Sequence, residues 1–101
     1  PLFYVAEGMA RDYQGDKSRA RKAYEKAVEI YDFRIATKHE WGDKVNRAAV
    51  IQSLYGKAAF NQALDEAISQ AFSKQEAENI EYFRNIDWKE TQRRMFCKDR
   101  P

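Results

Sequence analysis

Between Val45 and Phe72 the apolar residues Ala49, Leu54, Tyr55, Ala58, Ala63, Leu64, Ala67, Ile68, Ala71 and Phe72 recur at spacings of three and four. That period places them on one broad helical stripe. Much of the stripe is alanine, which lets a neighbouring helix approach closely. Gly56 falls inside it at a cost of about 1 kcal/mol relative to alanine, so it is expected to serve close packing or a kink. A second apolar run, Ala27, Val28, Ile30, Tyr31, Phe33, Ile35 and Ala36, is too dense for one helix face. Either that segment is buried on two sides, or a helix ends near Asp32 and a new element begins.

Punctuation divides the remainder. Gly15-Asp16 reads as a helix stop followed by an N-cap, and Gly42-Asp43 repeats the signal. Ser73-Lys-Gln-Glu76 is a capping box, and Asp87-Trp-Lys-Glu90 is a weaker start of the same kind. Both prolines are terminal, no alternating β-branched run suggests a strand, and Ala, Glu, Lys, Gln and Arg favour helix. The expected fold is all-α, with helices over about 2–14, 17–40, 44–72, 74–85 and 88–98. They would form one domain over 1–101: a hairpin at 2–32, a long helical region at 33–72, and C-terminal capping helices at 73–101.

Residues Tyr4, Gly8, Gly15, Ala20, Tyr24 and Ala27 stand at the spacing of a known helical unit, and the stretch GDKSRARKAYEKAVEIYD fits its turn and second helix. Residues 2–32 resemble one tetratricopeptide repeat. The physical sense agrees: Gly8 and Ala20 are small where the two helices would cross, Tyr24 and Ala27 face inward, and Gly15 permits the turn. Glu7, Arg11 and Asp32 depart from the usual pattern of the family. In that family the first helix of each unit lines an inner groove. The resemblance therefore implies that Leu2, Val5, Met9, Asp12 and Tyr13 form a partner-binding surface, mostly apolar and suited to a hydrophobic or helical ligand. A single unit does not bury its own apolar face, which points to a protein partner or a homo-oligomer.

Hydrophobic residues make up 44% of the 101-residue chain and 14% are aromatic, enough for one modest core. A net charge of +2 argues against strong nucleic-acid binding, which demands a clear basic excess. The local cluster Lys17, Arg19, Arg21, Lys22 and Lys26 remains the alternative surface, for an anion or a nucleic acid. Its charges oppose the dipole at a helix N-terminus. Arg93, Arg94, Lys98 and Arg100 are instead placed where a helix C-terminus welcomes cations. The longest uncharged stretch, Ala48 to Gly56, is far too short to span a bilayer. No apolar signal core is present. A lone cysteine, Cys97, fits a reducing, intracellular compartment.

Catalytic constellations are sparse. His39, the single histidine, has no Glu-x-x-His partner and reads as a helix-end side chain beside Glu40. Glu25 and Glu29 share a helix face, yet each has a basic neighbour and no histidine accompanies them. Neither a phosphate loop nor a nucleophile motif occurs. The expectation is a non-catalytic interaction module, an adaptor or a small structural subunit, without cofactor or metal.

Overall fold

The computed structural model describes residues 1–88, 90, 91 and 94. Among the described residues, five α-helices have both ends defined: α1 (Leu2–Tyr13), α2 (Lys17–Thr37), α3 (Trp41–Tyr55), α4 (Lys57–Ser69) and α5 (Lys74–Tyr82). A 3-10 turn over Phe83–Asn85 follows α5, and no strand occurs among the described residues. Each helix packs on its predecessor, and α5 also reaches α3. The fold is all-helical, as the residue pattern demands.

The first turn forms as its residues dictate. Gly15 takes φ +83° at the end of α1, where the Gly15 amide donates to the Asp12 carbonyl and the Asp16 amide to that of Arg11. This pair of bonds satisfies orphan carbonyls at the helix end, and the left-handed residue favours glycine. Asp16 then caps α2, its Oδ1 accepting the Arg19 amide at 3.2 Å. Past Asp32, α2 continues to Thr37, with Ala27 and Tyr31 buried and Phe33 left 70% exposed. The dense apolar run is thus one helix whose surplus side chain stands in solvent.

Two expectations are corrected. The stripe over 44–72 is not one long helix. Gly56 adopts φ +98° and ψ −178°, and the chain folds back so that α4 packs on α3. A Cβ on Gly56 would meet nothing within 4 Å, so its role is the turn and not close packing. Gly42-Asp43 is likewise no helix stop, because α3 already begins at Trp41. Asp43 is buried in its first turn and accepts an ion pair from Arg34 of α2 at 3.2 Å. That long-range partner claims the carboxylate that local reading assigned to a cap.

Ser73 Oγ accepts the Glu76 amide at 3.1 Å, giving half of the expected capping box. Asp87 Oδ1 likewise accepts the Glu90 amide at 3.0 Å. Cys97, Arg93, Lys98, Arg100 and most of the helix expected over 88–98 lie outside the described residues.

Two apolar clusters organise the interior. The first joins Val5, Ala20, Tyr24, Ala27, Tyr31 and Val50, with Leu54 packed against it. Its members come from α1, α2 and α3. The second joins Val45 and Ala48 of α3 to Phe60, Leu64 and Ala67 of α4 and Ile80 of α5, with Trp41, Phe83 and Trp88 packed around it. Helix α3 belongs to both.

Candidate binding groove

Glu25, Val28, Glu29 and Asp32 are spaced i, i+3, i+4 and i+7, which sets them along one stripe of α2. Arg47, Ile51, Leu54 and Tyr55 make a similar stripe on α3. The two stripes face each other across a surface groove of about 410 Å³. Val28, Ile51, Leu54 and Tyr55 provide apolar walls, and none of the four is buried.

The polar side of the groove is acidic. Three carboxylates from α2 face a single guanidinium, Arg47, whose Nε donates to Asp32 Oδ1 at 2.6 Å. Glu25 and Glu29 make longer, exposed pairs along α2, to Arg21 at 3.7 Å and to Lys26 at 3.5 Å. Exposed pairs of this kind contribute at most about 1 kcal/mol and exchange readily for an incoming cation. Arg21 also lies 5.5 Å from the centre of the Tyr55 ring. Geometrically, this is a trough with greasy walls and negative edges.

The α1 surface expected from the repeat resemblance does not assemble. Val5 is buried, and Val5 and Met9 belong to the first core cluster with Tyr24 and Val50. Asp12 is engaged by Lys17. Leu2 and Tyr13 stand 71% and 79% exposed at opposite ends of α1. The chain's own α2 and α3 take up Val5 and Met9, and leave Leu2 and Tyr13 in solvent. The basic cluster fares differently. Arg19, Lys22 and Lys26 share a shallow cleft of about 220 Å³ with Tyr4, Ala23 and Glu7. Lys17, Arg19, Arg21 and Lys26 each have a carboxylate partner, and Glu7 adds negative charge to the same cleft. Their field toward an external anion is correspondingly reduced.

His39 finds the carboxylate that sequence reasoning could not supply. Its Nε2 donates to both oxygens of Glu76, at 2.9 and 2.8 Å, across a separation of 37 residues. The imidazole stacks on Phe72 with ring centres 3.4 Å apart. Glu76 Oε2 also accepts the Phe72 amide at 2.9 Å, taking the place of the reciprocal bond to Ser73. This cluster pins the α2–α3 connection to the start of α5.

Burial alone would raise the Glu76 pKa. The hydrogen bonds from His39 and Phe72, with the charges of His39 and Lys44, outweigh it and hold the value below 4.5. A depressed folded-state value means that the stabilisation is complete above the unfolded carboxylate range and is lost as pH falls through the folded value. Glu76→Gln is therefore expected to lower Tm at pH 7, with the gap to wild type closing below about pH 4. Thermal melts across that range check it. A gap that widens in acid would contradict the assignment.

Among the described residues, no group of three His, Cys, Asp or Glu side chains could hold a metal ion, and no helix is long and apolar enough to cross a membrane. No protein-family model, curated protein or solved structure matches this chain.

Proposed function

We propose that this protein is a non-catalytic protein-binding module, and that the α2–α3 groove takes an apolar, basic peptide segment, most naturally an amphipathic helix. The observation that carries this reading is the pairing of the Val28, Ile51, Leu54 and Tyr55 walls with the Glu25, Glu29 and Asp32 edge. Helix-in-groove recognition needs a trough for side chains at i, i+3, i+4 and i+7, with complementary charge along its rim. The exposure of Phe33 and Phe72 adds to it. In an adaptor or assembly subunit such side chains are the ones covered by neighbours.

The basic cleft on α2 is the weaker candidate, because it is about half the volume of the groove, has only Tyr4 and Ala23 as apolar lining, and carries Glu7 among its cations.

A displayed library of random peptides, selected on the purified protein, tests the groove. Enriched peptides are expected to carry large apolar residues at helical spacing, flanked by Lys or Arg. Ile51→Glu should weaken their binding by about tenfold or more, as loss of an anchor contact does. Tyr82→Ser, on α5, should leave affinity unchanged. Enrichment of acidic peptides, or binding indifferent to Ile51→Glu, would reject the groove as the site.

A further inference from the structure

We propose that a second copy of this chain is itself a partner, engaged by exchange of α4 and α5 when Gly56 straightens and α3 and α4 become one helix.

The connection between α3 and α4 is a single residue. Tyr55 ends one helix and Lys57 starts the next, so only Gly56 departs from helical conformation. Its φ of +98° with ψ of −178° lies in a region that glycine enters freely and other residues hardly at all. Nothing packs on that position, and Tyr55, Gly56, Lys57 and Ala58 are all exposed. No side chain caps the N-terminus of α4. In a straightened chain the amides of Lys57, Ala58 and Ala59 would each gain a carbonyl four residues earlier.

Straightening removes the packing of α4 on α3, and a second copy restores it. The partition of the core makes this exchange feasible. Every member of the first cluster precedes Gly56, so that cluster stays whole when the hairpin opens. The second cluster straddles Gly56, with Trp41, Val45 and Ala48 on one side and Phe60, Leu64, Ala67 and Ile80 on the other. The same is true of the His39–Glu76 cluster and the Lys44–Gln70 hydrogen bond. All of these re-form between copies. The exchanged part is tied internally: Arg84 binds Asp65 and Glu81, each at 2.5 Å, and Lys57 Nζ donates to the Arg84 carbonyl at 2.6 Å. Two straightened helices over 41–69, each roughly 43 Å long, would lie antiparallel with their Gly56 positions at the crossing.

Glycine sets the balance. It is comfortable in the turn and unfavourable in a helix interior, so the wild type favours the closed chain. Gly56→Ala reverses both preferences at once, in each copy, and is expected to lower the dimer dissociation constant by about a hundredfold or more. Lengthening the joint by three residues removes the constraint and should favour monomer. The groove lies wholly within residues 25–55 and is retained in both forms, so peptide binding and exchange are tested independently.

The experiment measures mass by light scattering from about 10 µM to about 1 mM for wild type, Gly56→Ala and the lengthened chain. It is combined with spin labels at Asn46→Cys and Glu66→Cys in a Cys97→Ser background. One doubly labelled copy is diluted into unlabelled chain, so that only the intrachain distance is read. The hairpin holds the labels roughly 10–20 Å apart, and the straightened helix about 30 Å apart. The expected result is dimer at the long distance for Gly56→Ala, a dimer fraction rising with concentration for wild type, and monomer for the lengthened chain. Gly56→Ala that stays monomeric, or that dimerises while keeping the short distance, overturns the proposal. Should Gly56→Ala not fold, the wild type decides: refolding at the highest concentration without any long-distance dimer is equally fatal.

Discussion

Phe60→Ala is expected to cost about 3–5 kcal/mol and to unfold α4 and α5 before the rest of the chain. Phe60 is 0% exposed and lies within a cluster whose other large members are Leu64 and Ile80. Removing the ring leaves a cavity that helices on three sides fill only in part, so lost transfer energy and cavity energy add. A domain of this size has about 5–15 kcal/mol of stability in all, so the loss is a large share of it. What makes the outcome distinctive is the division of the core. Val5, Ala20, Tyr24, Ala27, Tyr31 and Val50 make their cluster without any residue of α4 or α5. Hydrogen exchange on Phe60→Ala should therefore show α4 and α5 amides opening at markedly lower free energy than those of α1 and α2. Tyr82→Ser, which alters an exposed ring, should stay within about 0.5 kcal/mol of wild type. Uniform weakening of all five helices would show that the two clusters fold as one unit.

That division also explains which features could be read from residues alone. Gly15-Asp16 was legible because its physics is local: a left-handed residue and a carboxylate three positions before the amide that it caps. Gly42-Asp43 presents the same dipeptide and behaves differently, because Arg34 of α2 binds Asp43 from outside the segment. Gly56 defeated the periodicity because a glycine costs a helix only about 1 kcal/mol, so recurring spacings of three and four on either side of it fit both a long helix and a hairpin. His39 and Glu76 were each visible, but nothing local connects residues 37 positions apart. The groove shows the same limit. Glu25 and Glu29 share a helix face by spacing alone, and the excess of apolar residues after Ala27 is plain in the sequence. Their neighbours on α3 became assignable only once the turn at Gly56 was known. Val5 and Met9 show the converse: periodicity finds an apolar face of α1 without saying whether solvent or another helix covers it.

Gly8→Ala inverts the usual effect of replacing a helical glycine. In an open helix the change would stabilise the chain by about 1 kcal/mol. At Gly8 the new Cβ would sit 2.5 Å from Tyr24 Cε1 and 2.6 Å from Cδ1. The ring cannot swing aside cheaply, since Tyr24 is only 4% exposed in the first cluster and its hydroxyl is hydrogen-bonded to Ser53 of α3. Overpacking of this kind costs about 1–3 kcal/mol, so sterics outweigh propensity and a net loss of up to about 2 kcal/mol is expected. Tyr24→Leu should relieve the clash, making the double variant less destabilised than the two single losses added together. A second readout locates the damage. Burial first, and then the charge of Asp12, push the Tyr24 pKa up to about 12 against the opposing Ser53 bond. If alanine displaces the ring toward solvent, the phenolate absorbance of Tyr24 should develop at lower pH, nearer the ordinary value of 10. A raised Tm in Gly8→Ala, with Tyr24 still titrating late, would mean that α1 yields at no cost and that its close approach to α2 does not depend on glycine.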